Sequence, residues 1–360
     1  MPESTQVAHY PAPTRVAAPV CSVCIANYNG AALLEDCLSS VFSQHGEIGI
    51  EVIVHDDAST DNSVALLRAK YPRVEVLASR ENVGFCISNN RMVELARGEY
   101  ILLFNNDAAL FPDAIVTLLQ AARLQESAGI LTLPQYDWES GNLVDRGCLL
   151  DPFLNPVPNK DTDRRDVGMV MGACLWIPKE LWVELGGFPE WFGSIGEDLY
   201  LSCRARLAGH PVRALGVSGY RHRVGASFGG GKARSSKLIT TFRRRALSER
   251  NKTFVMALTY PTSALWVCFT LHLFLLAFEG LLLTLLRRDR RYMTQIYAPV
   301  FVALVRQRKL LRRHRKEIRT NRRISARDFF STFQLQPYKL TMLLRHGLPT
   351  VGHKNENVEP

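Results

Sequence analysis

Three clusters of amides and acids stand where a chain can do chemistry, each directly after an apolar run. They are Asn27-Tyr28-Asn29-Gly30, Asp56-Asp57-Ala58-Ser59-Thr60-Asp61, and Phe104-Asn105-Asn106-Asp107-Ala108. Carboxylates and amides are the groups that hydrogen-bond a ribose or a base. A carboxylate among side-chain amides also suits a hard divalent cation that bridges to a diphosphate. Plainer readings stand beside these. Ser59 or Asp61 can cap a following helix, which accounts for Asp61 but not for Asp56 and Asp57. Asp107 serves equally well, on spacing alone, as a cap ahead of Pro112. Further on, Glu197 and Asp198 open an expected helix. First-turn acids commonly complement the helix dipole, and the same dipole keeps a carboxylate ionised, as a general base requires. His222 and Ser227 flank a glycine-rich stretch, where a lone histidine serves as readily as an ordinary polar residue. Two familiar nucleotide patterns are missing. Gly30 alone does not make G-x-G-x-x-G, and GGGKA (229–233) lacks the leading glycine and the Ser/Thr of a phosphate loop.

The elements that must carry these groups alternate. Apolar strands are expected at 20–27, 50–56, 73–78 and 100–104, with helices at Ala31–Phe42, Asn62–Lys70 and about Phe85–Arg97 between them. A helix near 112–126 and a strand at 129–133 follow. A strand is expected over VGMVMGACLWI (167–177), then a short helix from Pro178 to Leu185 and another from Gly196 to Gly209. Continuous apolar strands alternating with helices predict an α/β fold with a mostly parallel sheet covered on both faces. Ligands in such sheets bind beyond the carboxyl ends of the strands, where the three clusters fall.

Composition sets the outer bounds. The chain has 360 residues, 47% hydrophobic and 22% charged, which excludes a disordered protein. Its net charge is +10, yet Arg287–Arg323 alone holds 14 Lys/Arg against Asp289 and Glu317, so the remainder is slightly acidic. A nucleic-acid-binding body is not expected. Eight scattered cysteines read as buried, reduced thiols, and residues 1–20 lack the apolar core of a secretory signal, so the expected compartment is cytoplasmic. From Phe254 to Leu286 the only charged residue is Glu279, and Thr262–Leu286 is long enough to cross a bilayer. A buried amphipathic helix is the soluble alternative. Basic residues flank the stretch at both ends, which fits a re-entrant or interfacial anchor at least as well as a single crossing. The expected division is a flexible lead-in at 1–19, a catalytic domain at 20–250, an apolar and basic helical membrane-associated region at 251–330, and a tail at 331–360.

Taken in order, NYNG, DDASTD, ENVGF with SNN (Glu81–Phe85, Ser88–Asn90), FNNDA and GGF…GED resemble the family 2 glycosyltransferases over about Val20–Ser227. Within that family the chain looks most like the rhamnosyltransferase-like branch. Its members also carry H-x-x-x-x-S, as in His222–Ser227, and ERN before apolar helices, as in Glu249–Asn251. The resemblance implies the Rossmann-like A-type glycosyltransferase fold and an inverting transferase. Asn27, Tyr28, Asp56 and Asp57 match positions that hold the donor nucleoside, with Asn82 and Asn106 in the adjoining motifs. Asp107 matches the last acid of a D-x-D metal site whose first acid is here Asn105. His222 approaches the metal or diphosphate, and the implied cofactor is Mg²⁺ or Mn²⁺. Asp198 matches the base, Glu197 is the next candidate, and Cys174 sits where small residues line the acceptor side. The implied partners are a nucleotide-sugar donor, whose sugar the sequence leaves open with rhamnose the first candidate, and a lipid-linked glycan in cell-surface polysaccharide synthesis. The membrane is reached through the C-terminal region, on its cytoplasmic face. A soluble transferase with a protein or small-molecule acceptor, and a catalytically silent nucleotide- or glycan-binding module, are the competing readings.

Overall fold

The computed structural model describes residues 7–223, 230–234, 237–348 and 350–352. Ser227 lies outside them. The chain forms two compact units, one of Met1–Cys148, Pro158–Leu201 and His210–Arg223, the other of Leu149–Val157, Ser202–Gly209 and Val224–Pro360.

In chain order the strands to Tyr220–His222 are β1 (Val7–Tyr10), β2 (Cys21–Asn27), β3 (Ile50–Asp56), β4 (Val74–Ser79), β5 (Tyr100–Asn105), β6 (Ala108–Leu110), β7 (Ile130–Thr132), β8 (Gln135–Asp137), β9 (Leu143–Asp145), β10 (Cys148–Leu150), β11 (Pro156–Pro158), β12 (Cys174–Pro178), β13 (Val212–Ala214) and β14 (Tyr220–His222). Helices α1 (Ala31–Phe42), α2 (Ser63–Lys70), α3 (Phe85–Leu95), α4 (Ala114–Arg123), α5 (Lys179–Leu185) and α6 (Glu197–Leu207) alternate with them.

The first unit is built on an eight-stranded sheet ordered β1-β4-β3-β2-β5-β12-β7-β13. Its centre, β4-β3-β2-β5, is parallel as expected, while β1 and β12 run antiparallel to their neighbours. The central strands are apolar without alternation because both faces are covered; Val23, Ile25, Val54 and Leu102 are all sealed from solvent. The helical spacing of α1 turns Leu34, Cys37, Leu38 and Val41 into the same core.

Three expectations are corrected here. The lead-in at 1–19 is not wholly flexible: Val7–Tyr10 pairs with β4, and His9 Nε2 lies 2.7 Å from Glu75 Oε1. Only Cys174–Pro178 of the run at 167–177 is strand, because Gly168 and Gly172 interrupt it and Met169 instead bridges Cys148. A second, four-stranded sheet, ordered β6-β14-β8-β9, was not foreseen; its three-residue strands are too short to show a period.

In the second unit, strands β15 (Gly230–Arg234), β16 (Lys237–Thr241) and β17 (Thr350–Gly352) form a small sheet. Helices α7 (Phe242–Thr259) and α8 (Thr262–Arg287) are joined at Tyr260-Pro261. A π-helical turn (Tyr292–Tyr297) and helices α9 (Ala298–Arg306), α10 (Arg308–Thr320), α11 (Ala326–Phe330) and α12 (Tyr338–His346) follow. Residues 331–360 are therefore not simply a tail, since α12 and β17 lie within them. The Tyr338 N–H donates to Asp151, and Lys339 reaches Glu249 and Glu279. The seam between α7 and α8 is antiparallel. Thr253 Oγ1 meets His272 Nε2 at 2.8 Å, and Arg245 pairs with Glu279 at 2.5 Å. Glu249 also holds Lys252 at 2.9 Å.

Candidate active site

The register of the central strands gathers the sequence clusters along one edge. Asn27 lies opposite Asp56 at the ends of β2 and β3, and Ala26 lies opposite Asn105 at the end of β5. Asn27 Nδ2 donates to Asp56 Oδ2 at 2.9 Å, and Asn106 Nδ2 donates to Asn27 Oδ1 at 2.7 Å. These three side chains are buried, so their polarity is used in fixing the strand ends. Asp56 also receives the Ser59 N–H at 2.9 Å and its hydroxyl at 2.7 Å. The glycine of NYNG is required by this arrangement. A Cβ on Gly30 would lie 2.2 Å from Asn106 Nδ2 and 2.4 Å from Asn27 Oδ1. Tyr28, by contrast, is 44% exposed and presents an open aromatic face.

Asp57 does not face outward for a ribose. Its carboxylate accepts the N–H groups of Val83 at 2.7 Å and Gly84 at 2.9 Å, fixing the ENVGF turn, and burial raises its pKa despite those bonds. Asn82 donates to the Asp57 carbonyl at 3.2 Å. Asp61 satisfies helix starts as expected, accepting from Ser63 N–H and from Ala31 N–H, each at 3.0 Å.

Asp107 is not a helix cap; α4 begins only at Ala114. It is 2% exposed, and its Oδ1 lies 3.0 Å from His222 Nε2, with Asn105 Nδ2 at 3.4 Å from the same nitrogen. The other ring nitrogen, Nδ1, faces Gln135 Oε1 at 3.2 Å, and that oxygen already accepts from the Tyr220 hydroxyl at 2.8 Å. The ring is thus held between the Gln135 amide and the Asp107 carboxylate, and Nε2 is the atom placed beside that carboxylate. The 3.0 Å separation also matches the edge between two adjacent ligands that each sit about 2.1 Å from one cation. One carboxylate and one imidazole thus fit a divalent ion whose remaining ligands come from elsewhere. Among the described residues no group of three or more His, Cys, Asp or Glu side chains could hold a metal.

Gln135, Tyr220 and Asp145 were missed in the sequence because they belong to the unforeseen small sheet. Gln135 pairs with Tyr220 on β14 and with Asp145 on β9. Burial pushes the Asp145 carboxyl up to about 7, although the Gly147 N–H and the nearby His222 pull it down.

Asp198 is half-buried in the first turn of α6. Its Oδ1 accepts the Leu199 N–H at 2.7 Å and its Oδ2 the Gly172 N–H at 3.2 Å. Glu197 beside it is buried. The turn leading to them is held by the SNN motif, for Asn90 reads the Phe188 backbone twice: Nδ2 to its carbonyl at 2.9 Å, Oδ1 from its N–H at 3.0 Å. Cys174 does not line an open acceptor surface. It is fully buried in the sheet core, and burial pushes its thiol up to about 12.

Buried amides and acids at the carboxyl edge of the parallel strands β2, β3 and β5 stand where an α/β sheet binds its ligand. Residues 22–184 match the model of glycosyl transferase family 2, so the chain carries a domain of that family there. An uncharacterized protein of Sinorhizobium fredii is 29% identical over 64% of this chain and 25% of its own length. The N-acetylglucosaminyl-diphospho-decaprenol L-rhamnosyltransferase of Mycobacterium tuberculosis is 27% identical over 53% of this chain and 71% of its own. A chondroitin synthase of Escherichia coli is 33% identical over 36% of this chain, a segment that spans 19% of that protein. Among solved structures, GalNAc-T7 with UDP, GalNAc and Mn²⁺ superposes with a TM-score of 0.53 at 15% identity, covering 69% of this chain and 49% of that one. The mannosyltransferase of Pyrobaculum calidifontis with GDP-Man and Mn²⁺ gives 0.50 at 16%, covering 86% and 88%. The shared fold is that of A-type glycosyltransferases.

Proposed function

We infer that the protein is a metal-dependent, inverting glycosyltransferase, transferring a sugar from a nucleoside diphosphate donor to a lipid-linked glycan. The observation that carries this reading is the Asp107–His222 pair at the end of β5, in a family 2 domain that also bears a helix-start acid at Asp198. The relative acting on a decaprenol-linked sugar supports the acceptor class and makes rhamnose the first sugar to try. The eight cysteines, all thiols rather than disulfides, suit the cytoplasmic face of the membrane.

Asp107 and His222 would hold Mg²⁺ or Mn²⁺, which supplies positive charge against the diphosphate as it departs. Tyr28 stacks on the donor base, while Asn27, Asn106 and Asp56 keep the strand ends in shape beneath it. Asp57 and Asn82 act indirectly, by holding the Val83–Gly84 turn. Asp198 takes the proton from the acceptor hydroxyl as that oxygen bonds to the anomeric carbon. The bond from that carbon to the diphosphate breaks on the opposite side, and a single displacement inverts the configuration. No carboxylate nucleophile is needed, in contrast to double-displacement glycosidases.

The test is a donor screen with purified full-length protein, dTDP-, UDP- and GDP-sugars, and a polyprenyl diphosphate-linked acceptor. Acceptor-dependent release of a nucleoside diphosphate is expected, abolished by EDTA and restored by Mn²⁺ or Mg²⁺. Release that persists in EDTA would remove the metal from the reading. Donor binding without transfer to any acceptor class would favour a silent binding module.

Gln135 is expected to tune the metal site through the His222 ring. Gln135→Leu removes the Nδ1 partner and should weaken Mn²⁺ binding by roughly 10–100-fold. Gln135→Glu, which keeps an accepting oxygen, should recover most of it. Mn²⁺ titration followed by electron paramagnetic resonance reads this without turnover. Equal loss in both variants would mean that Gln135 serves packing alone.

A further inference from the structure

Helix α8 spans 26 residues with a mean hydropathy of 2.0 in its most apolar window, yet only 22% of that window is buried. Its buried residues form one stripe, His272, Leu276, Gly280 and Leu283, at helical spacing. Gly280 is where the π-helical turn presses closest, for a Cβ there would lie 2.8 Å from the Tyr297 ring. On the opposite line of the helix stand Val267, Phe274, Phe278, Leu281 and Leu285, each between 53% and 71% exposed. The exposed row is continuous, large and apolar over five turns, far more than scattered surface hydrophobes provide.

Length alone, about 39 Å at 1.5 Å per residue, would let α8 cross a bilayer about 30 Å thick. Its partner helix argues against that. Along the seam α7 contributes Arg245, which pairs with Glu279 about two thirds of the way along α8, and Glu249 and Lys252, which share the same ionic cluster with Lys339. A crossing orientation would carry these charges and the rest of α7 into hydrocarbon, where ionisable groups are costly. An orientation parallel to the surface keeps every one of them on the protein side. Basic residues gather at one end of the same hairpin. Arg287 ends α8, Arg288, Arg290 and Arg291 follow it, and Arg243 and Arg244 start α7 across the seam. This charge complements anionic lipid headgroups.

We propose that α8 is an in-plane membrane anchor: it lies along the lipid interface with its exposed row in the acyl region and both ends on the same side. The inference deepens the membrane part of the functional reading above, but its test uses no donor or acceptor and so stands or falls apart from the transferase assignment.

The test reads depth along the helix. Full-length protein with Cys268→Ser receives a single cysteine at Phe274, Phe278 or Leu285, labelled with an environment-sensitive fluorophore. Each is bound to phosphatidylcholine–phosphatidylglycerol vesicles brominated near the headgroup, mid-chain or at the chain end. All three labels should be quenched most by the shallow bromines and to the same extent. A progression of depth from one label to the next would establish a crossing helix and overturn the proposal. Absence of quenching, together with a doubling of mass in solution that Phe278→Glu abolishes, would assign the face to a second copy of the chain and overturn it equally. Phe278→Glu should weaken vesicle binding by roughly ten- to a hundredfold with an unchanged circular dichroism spectrum. Leu281→Gln serves as the milder variant, so a folding defect in the first leaves the outcome readable. Unaltered vesicle binding in both folded variants would also refute the proposal.

Discussion

Asp198→Asn is expected to bind donor as the unmodified protein does while losing turnover by about 10²–10⁴-fold, the usual loss when a general base is removed. The amide keeps the carboxylate's size and retains an oxygen for the Leu199 N–H, which lies 2.7 Å from Oδ1. The longer 3.2 Å bond from Gly172 N–H is lost, and the side chain is half-buried, so the fold should tolerate the change. What the amide cannot do is take a proton. Donor calorimetry and transfer rates, measured on the same preparation, separate the two effects. Near-normal turnover would remove Asp198 as the base and make the buried Glu197 the next residue to replace.

Asp107→Asn should have the opposite profile, weakening Mn²⁺-dependent donor binding by roughly 10²-fold, at or above the 10–100-fold typical of outer-sphere losses. The carboxylate is 2% exposed, and its Oδ1 is an anionic oxygen 3.0 Å from His222 Nε2. Replacing it leaves the imidazole, the Asn105 amide and the geometry of β5 in place, while the cation loses its anionic partner. Calorimetry of the donor with and without Mn²⁺ checks this. Wild-type binding in Asp107→Asn alongside lost binding in Asp198→Asn would reverse both assignments.

The reach of the sequence differed between the two halves of the site. Strands β2, β3 and β5 are long, apolar and followed by polar clusters, so their positions and the edge they share were legible from pattern alone. The Asp57 carboxylate accepts from a backbone turn twenty-six residues downstream, a contact invisible to spacing. Cys174 was placed at the acceptor side, yet the register of β12 against β5 turns it into the core. Gln135 and Asp145 lie on three-residue strands with no period to detect, and the pairings of β8 with β14 and β9 bring them beside His222. Along α8 the apolar run was plain, but its sidedness depends on what α7 and the π-helical turn press against it.

The two units are interleaved along the chain: the second takes Leu149–Val157 and Ser202–Gly209 from within the span of the first. During synthesis the first unit cannot close until Arg223 has emerged, and those two segments must then await the C-terminal helices. Asn155 waits for Lys252, Asp151 for Tyr338, and Arg204 for Glu317, each ninety or more residues away. Contacts at that sequence separation slow folding and lengthen the exposure of unfinished surfaces. A stop codon anywhere before α12 would therefore strand internal segments as well as remove an end. No single cut of the chain yields a self-sufficient catalytic half.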